Sequence, residues 1–278
     1  MTEIRGKRTL ITGAAKGMGA EMARQFADAG AELILVDIDA EGLQETARQL
    51  RRRGHPVHTY EADLSSRENI RQLGDEVGSD VGRIDILINN AGVVQGGPYD
   101  EIDDAADETT FSVNIEAVHW MTKTFLDDLE KGRDTHVVHM ASAAGFLGVP
   151  YQVVYSASKW FVIGLAEGVR LELEAEGCEH VGTTIVCPGL VETGMFQGSE
   201  APRLTPSLEP GYIVERLLDA VRADDVYVQE PLMVKAAPIL RALLPTRVND
   251  FILEALGATE IMHGWEGRDS EATPGSAS

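Results

Sequence analysis

Cysteine is nearly absent from this 278-residue chain, which holds only Cys178 and Cys187. Two cysteines make neither a disulfide framework nor a metal-ligand spacing, so each reads as a small buried hydrophobe. No run of 18 or more apolar residues occurs, and the opening "MTEIRGKRTL" lacks the apolar core of a signal peptide. Together these shortages make the cytoplasm the expected location. Lysine is scarce as well, six residues against 18 arginines, and the formal net charge is −21. Nucleic-acid binding needs a basic face to meet phosphates, and this balance argues against it. An acidic, lysine-poor surface suits high ionic strength and also follows from codon bias, so it assigns no function.

What the chain does contain is 44% hydrophobic and 25% charged residues, enough for one α/β domain with a full core. "RTLIT" (8–12), "ELILVDID" (32–39), "PVHTYEADL" (56–64), "IDILINNAG" (84–92), "THVVHMAS" (135–142) and "VGTTIVCPG" (181–189) read as buried strands. Helical periodicity lies between them. Residues 39–54 form a helix with Asp39 as N-cap and Gly54 past its end, and 104–131 and 153–177 are long helices. Alternation at this rhythm predicts parallel βαβ units in a doubly wound sheet of about seven strands, with helices on both faces. Residues 1–266 are read as this single domain, and the small, polar stretch 267–278 as a disordered tail. There is no internal repeat.

One short stretch, "YSASK" (155–159), raises a chemical question. On a helix, Tyr155 and Lys159 lie one turn apart on the same face, with only small residues between them. A free phenol titrates near pH ~10 and is no base at neutral pH. An ammonium ~4 Å away contributes roughly 4 kcal/mol at an effective dielectric of ~20, which brings that pKa down by about 3 units. Such a pair is a weak signal alone. The other motifs decide it.

"TGAAKGMG" (12–19) follows the first strand and opens a helix. Gly13, Gly17 and Gly19 let the turn close and the backbone approach a pyrophosphate at the helix N-terminus. Asp37 ends the second strand 18 residues past Gly19, near the distance expected for a carboxylate on an adenosine ribose. A carboxylate there repels a 2′-phosphate, so NAD is expected over NADP. Lys16, inside the turn, is the counter-signal. These features describe a Rossmann-type nucleotide site.

The spacing Gly-x-x-x-Gly-x-Gly, with "NNAG" (89–92), Asn114, Ser142 and "YSASK", resembles the short-chain dehydrogenase/reductase family over about residues 5–200. The resemblance implies hydride transfer between a nicotinamide cofactor and an alcohol or ketone. It makes Tyr155 the acid/base, Lys159 its electrostatic partner and ribose ligand, and Ser142 a hydrogen-bond donor to the substrate oxygen. Asn114 becomes the anchor of a proton-relaying water. The same resemblance places the cofactor against Gly13, Ala15, Lys16, Gly17, Met18 and Gly19, then Asp37 and Ile38, Asp63 and Leu64, and Asn90, Ala91 and Gly92. Beyond Tyr155 and Lys159 it adds Pro188, Gly189, Val191 and Thr193. It also implies a homodimer or homotetramer built on the helices at 104–131 and 155–177.

The substrate lid is expected over about residues 189–212. Val94, Gln95, Ser142, Ala144, Phe146, Gln152, Leu190, Met195 and Phe196 are the candidate pocket walls. They contain no Arg or Lys, which disfavours a carboxylate or phosphate substrate and suggests a lipophilic alcohol or ketone. The extension at 231–262 resembles the retinol and 17β-hydroxysteroid dehydrogenase-like branch, which points to a steroid-, retinoid- or aryl-type secondary alcohol. "PILRALLP" is expected to cover the pocket or an oligomer contact in preference to a membrane surface, since its basic charge is slight. His119 and His139 read as satisfied core histidines, and no metal site is expected. Two alternatives stand beside the main reading: an NADPH-dependent ketone or aldehyde reductase, supported by Lys16, and a non-catalytic dinucleotide sensor. The intact Ser142, Tyr155, Lys159 and Asn114 speak against the sensor.

Overall fold

The computed structural model describes residues 2–199, 201–203, 205–262 and 265. The expected tail at 267–278 lies outside the described residues. The strands are β1 (Arg8–Thr12), β2 (Glu32–Asp37), β3 (Val57–Glu61), β4 (Ile86–Asn89), β5 (Thr135–Met140), β6 (Val181–Pro188) and β7 (Tyr227–Glu230). They make one sheet in the order β3-β2-β1-β4-β5-β6-β7, with every pairing parallel. Its central strands read as unbroken apolar runs because both faces are covered. Leu10, Ile34, Leu87 and Val137 face one layer of helices, while Ile11, Leu35, Ile88 and Val138 face the other.

The first face is covered by α3 (Arg67–Asp80) and α5 (Ala117–Lys131), through Ile70, Leu73, Met121 and Phe125. The second takes α1 (Gly17–Asp28), α2 (Ala40–Arg52) and α7 (Pro210–Ala223), through Met22, Phe26, Leu43 and Leu217. Asp39 caps α2 by accepting from the Gly42 N–H at 3.0 Å, as expected. Strand order reverses between β1 and β4. That switch point opens a crevice at the carboxyl ends of the strands, where ligands of such sheets bind.

Two features depart from the expected elements. The helix expected over 104–131 is broken into α4 (Asp104–Phe111), a π-helical turn (Ser112–Glu116) and α5. Asn114 sits inside the π turn and is wholly buried. Periodicity does not reveal an i→i+5 turn, because the side chains on either side keep their apolar face. The second feature is the C-terminal extension, which forms α8 (Leu232–Leu243) and α9 (Thr246–Ala255), joined by a short turn. The long helix α6 (Val153–Ala175) carries "YSASK" in its first two turns.

Candidate active site

The phosphate turn is built by backbone constraints. Gly13 adopts φ +66°, a left-handed conformation that side-chain-bearing residues rarely adopt. A Cβ on Gly19 would overlap the Gly13 carbonyl oxygen, so nothing larger than glycine closes this turn. Lys16 stands at the N-cap of α1 without a capping side chain, leaving the first N–H groups of the helix uncapped toward the crevice. Asp37 stiffens the loop: one oxygen accepts from Ala15 N–H at 2.8 Å and the other from Asp39 N–H at 2.9 Å. Lys16 forms an ion pair with Asp39 at 3.7 Å.

On the other side of the switch point, Thr12 ties β1 to the segment after β4. Its Oγ1 donates to the Ile88 carbonyl and accepts from the N–H groups of Asn90 and Ala91 at 2.9 and 3.0 Å. The Asn90 carboxamide donates back to the Thr12 carbonyl at 2.8 Å. Thr12 was not among the expected site residues, and its position at the end of β1 was the available signal.

These loops enclose a cleft of about 810 Å³. Of the expected cofactor residues, Gly13, Lys16, Met18, Gly19, Asp37, Ile38, Asp63, Leu64, Asn90, Ala91 and Gly92 line it, with Pro188, Gly189, Val191 and Thr193 opposite. Ala15 and Gly17 do not. Ala15 serves through its bond to Asp37, and Gly17 takes a left-handed φ of +57° beneath the Thr193 side chain. The turn, the bare helix end and the carboxylate suit a dinucleotide, so the residues present fit the cofactor that the sequence implies. Glu108, Thr109 and Ser112 of the α4 region also line the cleft and were not anticipated.

Ser142, Tyr155 and Lys159 stand at the inner end. Tyr155 and Lys159 are each 6% exposed. Burial pushes the Tyr155 phenol up to about 12, and the hydrogen bond with Ser142 pulls it partly back. Burial also draws the Lys159 ammonium down to about 8. The expected depression of the phenol by the ammonium is therefore not what this geometry gives. Lys159 Nζ donates to the Met140 carbonyl at 2.9 Å and lies 5.6 Å from the Tyr155 ring centroid, and desolvation outweighs its field.

Asn114 is anchored by its own side chain. Its carboxamide accepts from Val93 N–H at 2.8 Å and donates to Val93 O at 2.9 Å and Ser158 Oγ at 3.2 Å. It lies behind the cleft wall and holds the Gly92–Val93 segment in place.

A second cavity of about 140 Å³ adjoins the first and shares Ser142, Tyr155, Gly189 and Phe196 with it. Of the expected pocket walls, Ser142, Ala144, Gln152, Leu190 and Phe196 line this cavity, and Met195 lines the larger cleft. Val94 packs beside Ala144, Val149 and Tyr155. Gln95 lines neither cavity, and Phe146 turns away to pack with Val162 and Ile163 and against the Tyr227 ring. The rest of the wall comes from α8 and α9, including Met233, Leu240, Ile252 and Leu253. The extension thus covers the pocket. Arg203 adds a guanidinium at the exposed side of this wall, so the expected absence of cations fails there.

The two histidines set aside earlier line neither cavity. His139 is fully buried, and burial lowers it to about 4, but its Nε2 has no partner among the described residues. His119 is half-buried, edge-on to Trp120 at 4.6 Å, and is not a core residue.

Comparison with known proteins agrees with this geometry. Residues 7–203 match the family model described as short chain dehydrogenase. The chain is 37% identical to epidermal retinol dehydrogenase 2 of Mus musculus over 268 residues, covering 95% of this chain and 87% of that one. It is 38% identical to estradiol 17-beta-dehydrogenase 11 of Macaca fascicularis over 244 residues, covering 88% and 81%. Among solved structures, a short chain dehydrogenase/reductase from Burkholderia phymatum in complex with NAD superposes with a TM-score of 0.77 at 27% identity, covering 91% and 97%. A metagenomic short-chain oxidoreductase in complex with NADP superposes with a TM-score of 0.70 at 28% identity, covering 82% and 97%.

Proposed function

Because the chain belongs to the short-chain dehydrogenase family, and is thereby an NAD(P)-dependent oxidoreductase, we propose that it interconverts hydrophobic secondary alcohols and their ketones with NAD(H). The carrying observation is that Ser142 and Tyr155 stand on the boundary shared by the nucleotide cleft and the apolar cavity. A substrate in the second cavity presents its carbinol oxygen to both hydroxyls. A nicotinamide dinucleotide bound in the cleft supplies the hydride acceptor or donor. Tyr155 exchanges the hydroxyl proton, and Ser142 donates a hydrogen bond that steadies charge on the same oxygen. Lys159 holds a buried positive charge beside them, and Asn114 keeps the Gly92–Val93 wall in register. A turnover assay over hydrophobic secondary alcohols with NAD and NADP tests this reading. Absence of turnover with every alcohol and ketone would refute it.

The retinoid- and steroid-acting names of the two relatives support a lipophilic substrate. Size orders the candidates. A cavity of roughly 150 Å³ holds one benzene ring, and this one measures about 140 Å³. Aryl alcohols are therefore expected to enter first, while steroid- or retinoid-sized ones displace Phe196, whose ring stands edge-on to Tyr155 at 6.0 Å.

The preference for NAD rests on Asp37, with the Lys16 charge drawn toward Asp39. A like charge against a 2′-phosphate costs over ~1.4 kcal/mol, so NAD is expected to exceed NADP at least tenfold in kcat/KM. Equal efficiency with both would mean that Lys16 prevails.

For assembly, α6 exposes Trp160 (41%) and Phe161 (37%) on its outer face. Large exposed aromatics in adjacent positions suit an isologous contact. Light scattering at micromolar concentration should give a dimer or tetramer, and a monomer would contradict this.

A further inference from the structure

Gln152 is the one carboxamide on the wall of the apolar cavity that is nearly sealed from solvent, at 4% exposure. It precedes α6 at the N-cap position but makes no side-chain capping bond. It stands three residues before Tyr155, and both residues line the cavity. Its Nε2 donates to the Met262 thioether at 2.8 Å. A thioether is a weak acceptor, whereas an amide brings two donors and a two-lone-pair oxygen. Leucine or methionine would pack the same wall without a polar group.

Among the described residues, the Met262 sulfur accepts from Gln152 and from Ser199 Oγ, the latter at 3.5 Å. It seats against Gly96, where a Cβ would lie 2.5 Å from its methyl carbon. Around this point the cavity wall is otherwise apolar, with Ala144, Val149, Leu190 and Ile261. Gln152 is thus a donor held only by a weak acceptor, beside the reacting site.

We propose that Gln152 is a specificity-determining residue that hydrogen-bonds a second oxygen of the substrate. The preferred substrates are then hydrophobic alcohols carrying another hydroxyl or carbonyl on the ring that bears the reacting carbon. This rests on the reading that Ser142 and Tyr155 hold the carbinol oxygen. A substrate oxygen takes the place of the thioether on Nε2, exchanging a weak acceptor for a strong one. A substrate without it leaves the amide as it is and gains nothing.

The test compares 1-tetralol with its 2-, 3- and 4-hydroxy derivatives, using the wild type, Gln152→Leu and Gln152→Met with saturating NAD. In the wild type at least one diol is expected to exceed 1-tetralol at least tenfold in kcat/KM, chiefly through a lower KM. In both variants the ratio of diol to 1-tetralol kcat/KM should fall at least tenfold. Two variants of different shape guard against a folding defect, which thermal melting reports. Turnover of 1-tetralol with no diol preferred, or a preference that survives in both variants, overturns the role of Gln152. Equal loss for diols and 1-tetralol assigns it a structural role and overturns it too. Failure of all four alcohols in the wild type would instead strike the proposed reaction itself.

Discussion

Tyr155→Phe is expected to lower turnover by roughly 10²–10⁴-fold while leaving NAD affinity nearly unchanged. The substitution keeps the ring, its burial and its edge-on contact with Phe196. It removes the one group on the shared boundary of the two cavities that can exchange a proton with an alcohol at Ser142. Lys159→Met should do comparable damage by another route. It takes the donor from the Met140 carbonyl and the positive charge from beside the phenol. The buried phenol, already held up near 12, then has only the Ser142 hydrogen bond to favour its ionised form. Residual activity should climb with pH through 10, and cofactor affinity should fall in this variant but not in Tyr155→Phe. Initial-rate kinetics and equilibrium binding of NAD separate the two. Near wild-type turnover by Tyr155→Phe would end the proposed mechanism.

The second large effect is on stability, and it follows from two histidines away from the chemistry. His136 and His139 face into the protein from β5 with no exposure. Burial lowers His136 to about 3 and His139 to about 4, against an ordinary value of 6.5. His136 lies between Thr184 Oγ1 at 2.8 Å and Thr2 Oγ1 at 3.2 Å, and burial outweighs the Asp224 carboxylate 3.7 Å from its Nδ1. Below pH 6.5 the unfolded chain takes up two protons that the folded chain refuses. The stability these neutral rings contribute is therefore complete above pH 6.5 and is lost progressively as the pH falls toward their folded values. Each ring loses about 1.4 kcal/mol per pH unit in that window, or about 4 kcal/mol for both at pH 5. Urea denaturation at pH 7.5 and pH 5.0 measures the difference. Equal stability at the two values would show that neither ring stays neutral.

Much of the architecture was legible because it repeats locally. Apolar runs such as "LILV" in β2 and "TLIT" in β1 need both faces covered, and the glycine turn between them fixes where the crevice opens. The expected cofactor residues lay mostly in the cleft for the same reason: turns and strand ends are set by nearby sequence. What was not legible depends on long-range packing. Nothing near Asn114 announces that its carboxamide reaches Val93, 21 residues away. The effect of Lys159 on the phenol was misjudged because spacing on a helix says nothing of burial or of a competing carbonyl on β5. Phe146 reads as a pocket residue by its neighbours, yet Tyr227 from β7 draws it to the far side. Arg203 and the α8–α9 walls reach the pocket only through the fold.

The proposed reaction is direct hydride transfer between an alcohol in the apolar cavity and a nicotinamide in the cleft. The most direct measurement uses hydrophobic secondary alcohols deuterated at the carbinol carbon, with mass spectrometry of the reduced dinucleotide. A single deuterium should appear in the reduced nicotinamide for each alcohol oxidised, in Tyr155→Phe only at the residual rate. Deuterium released to solvent, or ketone formed without label in the dinucleotide, would contradict it.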